Sequence, residues 1–287
     1  MILVTGATGR VGTELVRELV ARGEPVRAFV RDAAAVRSHF DPRVEIFEGD
    51  LDRPETIAAA LEGADGVFLL TPSSEAQPAQ ERAVLEAVQW AGVEPIVKLS
   101  VLGADDGSPL QLGRWHRAGE RALEESGVEY TILRASSFMQ NLYGMSGSIA
   151  SDGAIYTAAQ GGKVGMVDVR DIAAVAAAAL TEEGHEGQTY VVTGPEAVSY
   201  GEAAAVLSRA TGKRIEHVSV PREQLAASLQ QAGLPEWYAE DMAALQEGFA
   251  AGRGETVTDV VRDVAKREPR TLEAFAQEHG AAIVGQA

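Results

Sequence analysis

Three glycines, Gly6, Gly9 and Gly12, follow directly on the apolar run at residues 2–4, in the stretch VTGATGRVG. Glycine has no Cβ, so a glycine-rich turn between a strand and a helix lets backbone N–H groups approach a diphosphate at the helix N-terminus. The spacing GxxGxxG differs by one residue from the GxGxxG fingerprint of dinucleotide-binding folds. Its bland alternative is a tight turn with close helix packing. Context favours the ligand, because the loop follows a strand pattern and opens a helical one inside a βαβ unit.

A second candidate lies at the end of the next strand pattern, where the sequence reads VRD and places Arg31 before Asp32. An acidic side chain there accepts hydrogen bonds from the ribose hydroxyls of NAD, whereas an arginine accommodates the 2′-phosphate of NADP. Both readings stay open, as does a pair of solvated loop charges. The bidentate grip of a guanidinium on phosphate makes NADP(H) the preferred cofactor and NAD(H) the possible one.

The elements that must position these residues alternate in type. Strand patterns at 2–4, 26–30, 44–47, 67–70, 96–99 and 130–133 are separated by helical patterns at 11–22, 55–61, 79–91 and 117–125. Such alternation predicts an α/β fold, a Rossmann-like doubly wound parallel sheet covered by helices on both faces. A helix at 168–180 and a strand at 189–193 complete it, the alanine richness of the former reading as helix propensity. Beyond residue 194 the pattern is mainly helical, at 200–211, 222–231, 237–249 and 271–279. The expected division is a dinucleotide-binding domain over 1–194, with a loop excursion around 136–165 lining the cleft. A smaller, mainly helical domain follows over 195–287.

Composition narrows the partners. A net charge of −17 with no run of Lys or Arg argues against nucleic acid and acidic membrane surfaces. With no cysteine there are no disulfides and no thiolate chemistry, and the five histidines lack ligand spacing, so no metal is expected. No apolar run approaches the roughly 18 residues of a membrane span. The chain opens on a strand pattern rather than an apolar signal region, so a cytoplasmic setting is expected, as monomer or homodimer.

Taken together, TGATGRVG, VRD, EGDLDRPETIAAAL, LLTP, KLSVLGAD, HRAGERALEESGVEYTILRASSFMQNL, VDVRDIAAVAAAAL and VTGPEAVSYGEAA resemble the NmrA-like atypical short-chain dehydrogenase/reductases over nearly the whole chain. The resemblance implies that Gly6 and the run Thr8, Gly9, Arg10, Val11 and Gly12 cradle the pyrophosphate, and that Arg31 takes the 2′-phosphate. It places Asp50 and Leu51 by the adenine, Thr71 and Pro72 by the nicotinamide ribose, and Ala135, Ser136 and Phe138 beside the nicotinamide. The Tyr-x-x-x-Lys dyad of the wider superfamily is missing, since none of the six tyrosines has a lysine at that spacing. Tyr130 is followed by Arg134, a pair that strand alternation makes structural.

In related plant reductases a lysine precedes the corresponding glycine, and counting back from Gly127 lands on His116. An imidazole with an ordinary pKa of about 6.5 can relay a proton, though a histidine on an amphipathic helix is commonly structural. Without a dedicated acid, reducing an isolated ketone is difficult, whereas a quinone delocalises the charge it receives and asks mainly for stacking and orientation. Trp115, Phe138, Met139 and Tyr143 could supply a flat apolar wall and Asn141 could orient a carbonyl; their bland reading is ordinary core. The expected function is therefore an NAD(P)H-dependent oxidoreductase acting on a quinone-like or other conjugated electrophile. The alternative is an NADP(H)-binding redox sensor without turnover.

Overall fold

The computed structural model describes residues 1–285. From the N-terminus run β1 (Ile2–Val4), α1 (Arg10–Arg22), β2 (Val26–Val30), α2 (Ala33–Val36), β3 (Glu45–Glu48) and α3 (Pro54–Ala60). They are followed by β4 (Gly66–Leu69), α4 (Gln77–Ala91), β5 (Ile96–Val101), α5 (Gln111–Glu124) and β6 (Tyr130–Ala135). After β6 come a 3-10 segment (Met139–Met145), α6 (Ser146–Asp152), β7 (Ala154–Thr157) and β8 (Lys163–Val164), then α7 (Val169–Thr181) and β9 (Gln188–Val192). The remainder holds β10 (Val198–Ser199), α8 (Tyr200–Thr211), β11 (Glu216–Ser219), α9 (Arg222–Gln231), α10 (Glu236–Ala250), α11 (Val260–Ala265) and α12 (Leu272–Ile283). The chain forms two compact units.

The first unit comprises residues 1–108, 112–135 and 169–191. Its sheet has the order β3-β2-β1-β4-β5-β6-β9, and the pairings from β3 through β6 are parallel. Strands buried on both faces need apolar residues at every position, which is why β1 and β4 read as unbroken ILV and GVFL. The edge strand β3, EIFE, instead ends in exposed glutamates. Because the chain passes from β1 to β2 and β3 before returning to β4, the strand order reverses between β1 and β4. In open sheets of this kind the ligand crevice lies outside the carboxyl ends of the strands at that reversal.

Two readings of the sequence need revision here. The alanines of α7 do more than favour a helix: all but two of its residues are buried, and the small side chains let it lie against α1 and the sheet. Helix α5 starts six residues before the expected position 117. Gly113 weakened the helical pattern there, and it is needed because a Cβ would fall 2.4 Å from Ser108 Oγ.

The second unit comprises residues 109–111, 136–168 and, of the described residues, 192–285. Residues 136–165 are therefore not a loop excursion of the first domain. They carry β7, which pairs in parallel with β11, and β8, which pairs antiparallel with β10. Met139, Ile149, Ile155 and Val164 from this segment share a core with Leu207 of α8 and Phe275 of α12. The register Ala154↔Glu216 joins residues far apart in sequence, and local periodicity carries no signal for such a pairing. The expected helical character of the C-terminal region is otherwise as described, with α8 opened by a reciprocal capping box between Ser199 and Glu202.

Candidate functional site

The three glycines of the first loop differ in what the fold asks of them. Gly6 has φ +62°, a left-handed conformation that side chains resist. Gly12 sits where a Cβ would lie 2.1 Å from the Gly6 carbonyl oxygen, so the first turn of α1 can pack on the loop only without a side chain. At Gly9, the N-cap of α1, φ is −77° and ψ 171°, an ordinary extended conformation, and the nearest atom to a Cβ would be the Gly6 oxygen at 3.1 Å. The fold alone does not demand glycine at position 9. Thr8, Gly9 and Arg10 are exposed, and the first-turn amides of a helix lack intrahelical partners. This is a cradle that a side chain would fill, and it fits a diphosphate.

The neighbouring strand ends supply the remaining expected residues. Thr5 ties β1 to β4: its Oγ1 accepts from the Leu70 N–H at 2.9 Å and faces the Phe68 and Leu70 carbonyls. Thr71 and Pro72 follow β4, the former buried and the latter exposed. Asp50 and Leu51 follow β3; Asp50 Oδ1 accepts from the Asp52 N–H, and Leu51 packs on the apolar core. Arg31 and Asp32 follow β2. The Asp32 carboxylate accepts from the Ala35 N–H at 2.9 Å and caps α2, so it is turned into its own helix. The Arg31 side chain is exposed at the strand end. Ala135 closes β6.

Beneath these loops lies a buried polar cluster that the sequence reading did not assemble. Lys98, in the middle of β5 and fully buried, donates to Glu81 Oε1 on α4 at 2.6 Å. The same oxygen accepts from Gln77 Nε2 at 3.1 Å and from the Thr71 hydroxyl at 3.2 Å. Gln77 Nε2 also lies 3.3 Å from His116 Nδ1 and 3.4 Å from Nε2. Burial, reinforced by the Lys98 ammonium, holds the His116 imidazole well below its ordinary pKa of 6.5, so it is neutral at physiological pH. The signal available in the sequence was a lysine interrupting the apolar run IVKLSV.

A second cluster is structural. Glu120, completely buried, accepts from Arg134 at 2.5 Å, from Ser100 at 2.6 Å and from Arg117 at 3.1 Å. Arg134 is thereby accounted for as Glu120's partner. Burial pushes the Glu120 carboxyl up, but the hydrogen bonds from Arg134, Ser100 and Arg117 outweigh it and hold the group below its ordinary value of 4.5. A depressed carboxylate contributes stability above its unfolded pKa and loses it as pH falls through the folded one. Glu120→Gln should therefore lose about 3 kcal/mol at neutral pH. The gap from wild type should begin to narrow as pH falls below the ordinary carboxylate value and go on narrowing through the depressed folded one, which urea unfolding across the acid range measures.

The expected pocket residues divide between the units. Trp115 is half-buried on α5 of the first unit, whereas Ser136, Phe138, Met139, Asn141 and Tyr143 belong to the second. Ser136 is buried, its N–H donating to the Val192 carbonyl at 2.9 Å, and Phe138 is half-buried. Met139 is a correction to the flat-wall reading, because at 1% exposure it is core. Tyr143 packs edge-on to Phe275 and His279. The exposed Asn141 donates its Nδ2 to Ser137 Oγ at 3.2 Å. Among the described residues, no helix is long and apolar enough to cross a membrane.

Comparison with known proteins places these features in a family. The profile of the NmrA-like family matches residues 1–276. An NAD(P)H azoreductase from Xenophilus azovorans is 41% identical over 287 residues, covering 99% of each chain. The crystal structure of an NADPH-dependent quinone oxidoreductase from Escherichia coli, complexed with NADPH, superposes with a TM-score of 0.88 at 29% identity, covering 97% of this chain and 99% of that one. The triphenylmethane reductase of Citrobacter sp. complexed with NADP(H) superposes at 0.86 with 29% identity, covering 98% and 100%.

Proposed function

This chain belongs to the NmrA-like family, and from that premise we propose that it is an NAD(P)H-dependent reductase passing hydride to a quinone-like or other conjugated electrophile. The observation that carries the reading is the glycine cradle at the β1–β4 strand reversal, with a Gly9 that the fold itself does not require. Relatives whose names specify azo, quinone and triphenylmethane dye reduction with nicotinamide cofactors support the acceptor class.

In this reading Gly6 and residues 8–12 hold the diphosphate, with Asp50 and Leu51 beside the adenine. Thr71 and Pro72 flank the nicotinamide ribose, and Ala135, Ser136 and Phe138 border the ring. The engagement of Asp32 with Ala35 leaves Arg31 to meet the 2′-phosphate, which supports NADPH over NADH. The bound cofactor supplies the hydride. The residues of the chain orient the acceptor, with Trp115, Phe138 and Asn141 as the candidates. A small-molecule acceptor, a cytoplasmic setting and a monomer or homodimer complete the proposal.

His116 is assigned to holding Gln77 rather than to proton transfer, because a buried imidazole kept neutral is a poor acid at physiological pH. A conjugated acceptor tolerates this, since the anion formed on it is delocalised and takes its proton from solvent. The kcat/KM profile is accordingly expected to show no imidazole inflection between about pH 6 and 8. An inflection near pH 6.5 that disappears in His116→Asn would return the histidine to the mechanism. The activity itself is tested by incubating the protein with NADPH and a small naphthoquinone or azo dye. Steady loss of the reduced-nicotinamide absorbance is expected. Saturable NADPH binding without consumption would replace the reductase by the redox-sensor reading.

A further inference from the structure

We propose that Glu81 is a positioning residue for the nicotinamide-ribose end of the cofactor, acting through the Thr71 hydroxyl. The inference rests on the reading of the cofactor site given above and deepens it.

Thr71 stands two residues past the end of β4, beside the strand reversal, near the start of the irregular segment 70–76, which leads into α4. Glu81 lies in the second turn of α4. The Thr71–Glu81 hydrogen bond therefore ties the start of this segment to the helix that ends it. Pro72 and Ser73, next in the chain, are exposed. A loop that must meet a ligand with defined geometry needs such a fixed base, because loops without one are the mobile parts of a fold.

The surroundings of Glu81 are built to keep its carboxylate in place. Lys98 reaches it from β5 at 2.6 Å and Gln77 from α4 at 3.1 Å, and both side chains are fully buried. Helix α5 contributes Gly119, where a Cβ would fall 1.7 Å from Glu81 Oε2 and 3.0 Å from Lys98 Cε. That helix thus gives up a side chain, at a position where alanine is the better helix former, to make room for the acid. Stability does not account for the arrangement. A buried ion pair exchanged for apolar residues of similar volume is commonly neutral or stabilising. Moreover Glu81 Oε2 and Gln77 Oε1 are buried without a hydrogen-bond partner among the described residues. What the ion pair supplies, and an apolar pair cannot, is a fixed acceptor for Thr71.

The test is a cycle read by NADPH titration of the full chain, with melting temperatures recorded in parallel. Thr71→Val removes the hydroxyl, and Glu81→Leu with Lys98→Met removes the acceptor without stranding a buried charge. Each is expected to raise the NADPH Kd about tenfold, the worth of one well-placed hydrogen bond, and the triple variant no further. Glu81→Gln with Lys98→Met keeps a carbonyl oxygen facing Thr71 and should bind NADPH within about threefold of wild type, whatever its melting temperature. The KM for the acceptor should not move in any of these variants. A wild-type Kd in Thr71→Val overturns the proposal, even if the charge-removed variants fail to fold. Effects that multiply in the triple variant, or an amide variant as weak as the leucine one, also overturn it. If the wild-type chain itself binds no NADPH, the cofactor reading fails first, and that result appears without any variant.

Discussion

Gly9→Val is expected to give a folded protein that binds NADPH at least 100-fold more weakly than wild type. The backbone at Gly9, φ −77° and ψ 171°, is one that a β-branched residue adopts readily. Its Cβ would meet only the Gly6 carbonyl oxygen, at 3.1 Å, a contact relieved by a shift of a few tenths of an ångström. Outward from the loop the same side chain occupies the space through which a diphosphate must come to reach the first-turn amides at about 2.9 Å. Gly12→Val is the contrasting control. There the Cβ would lie 2.1 Å from the Gly6 oxygen and 2.8 Å from its carbonyl carbon, so the loop and α1 cannot both keep their places. Thermal melting monitored by circular dichroism should show Gly9→Val near wild type and Gly12→Val strongly destabilised. Calorimetric NADPH binding by Gly9→Val within about tenfold of wild type would remove the loop from the cofactor site.

Arg31→Ala should weaken NADPH binding roughly 10- to 100-fold and leave NADH binding unchanged, which erases the preference between them. The magnitude is that of a charge-assisted bidentate contact, about 1.5–3 kcal/mol. The selectivity follows because only the 2′-phosphate distinguishes the two ligands at this strand end. Asp32→Ala separates the competing reading. Its carboxylate caps α2 through Ala35, so the expected loss is about 1 kcal/mol of stability with the NADPH-to-NADH ratio preserved. Titrations of both variants with both nucleotides decide the matter. A ratio that moves in Asp32→Ala and not in Arg31→Ala would reverse the assignment.

Much of the regular structure of both units is legible without coordinates. Strand β2 falls at the expected 26–30, and α8 and α9 at the expected 200–211 and 222–231. In these segments the buried face repeats with the period of the element, so neighbouring residues report on one another. The segment around 136–165 is legible in the sequence only as a loop excursion. Its strands are short, and each is paired with a partner distant in the chain, so nothing local announces them.

For the candidate site the division runs along the same physical line. The amino-acid order by itself determined which residues stand at the carboxyl ends of β1 to β4, because a strand run and the loop after it are contiguous: the glycines, Arg31, Asp50, Thr71. Only the tertiary structure decided what those side chains are committed to. It turns Asp32 back onto its own helix, buries Met139 in a core, and gathers Thr71, Glu81, Lys98 and His116 from four separate elements around one carboxylate oxygen and its amide neighbour. Hydrogen bonds and charge burial depend on direction and distance in space, and those are settled when sheets and helices pack, not by spacing along the chain.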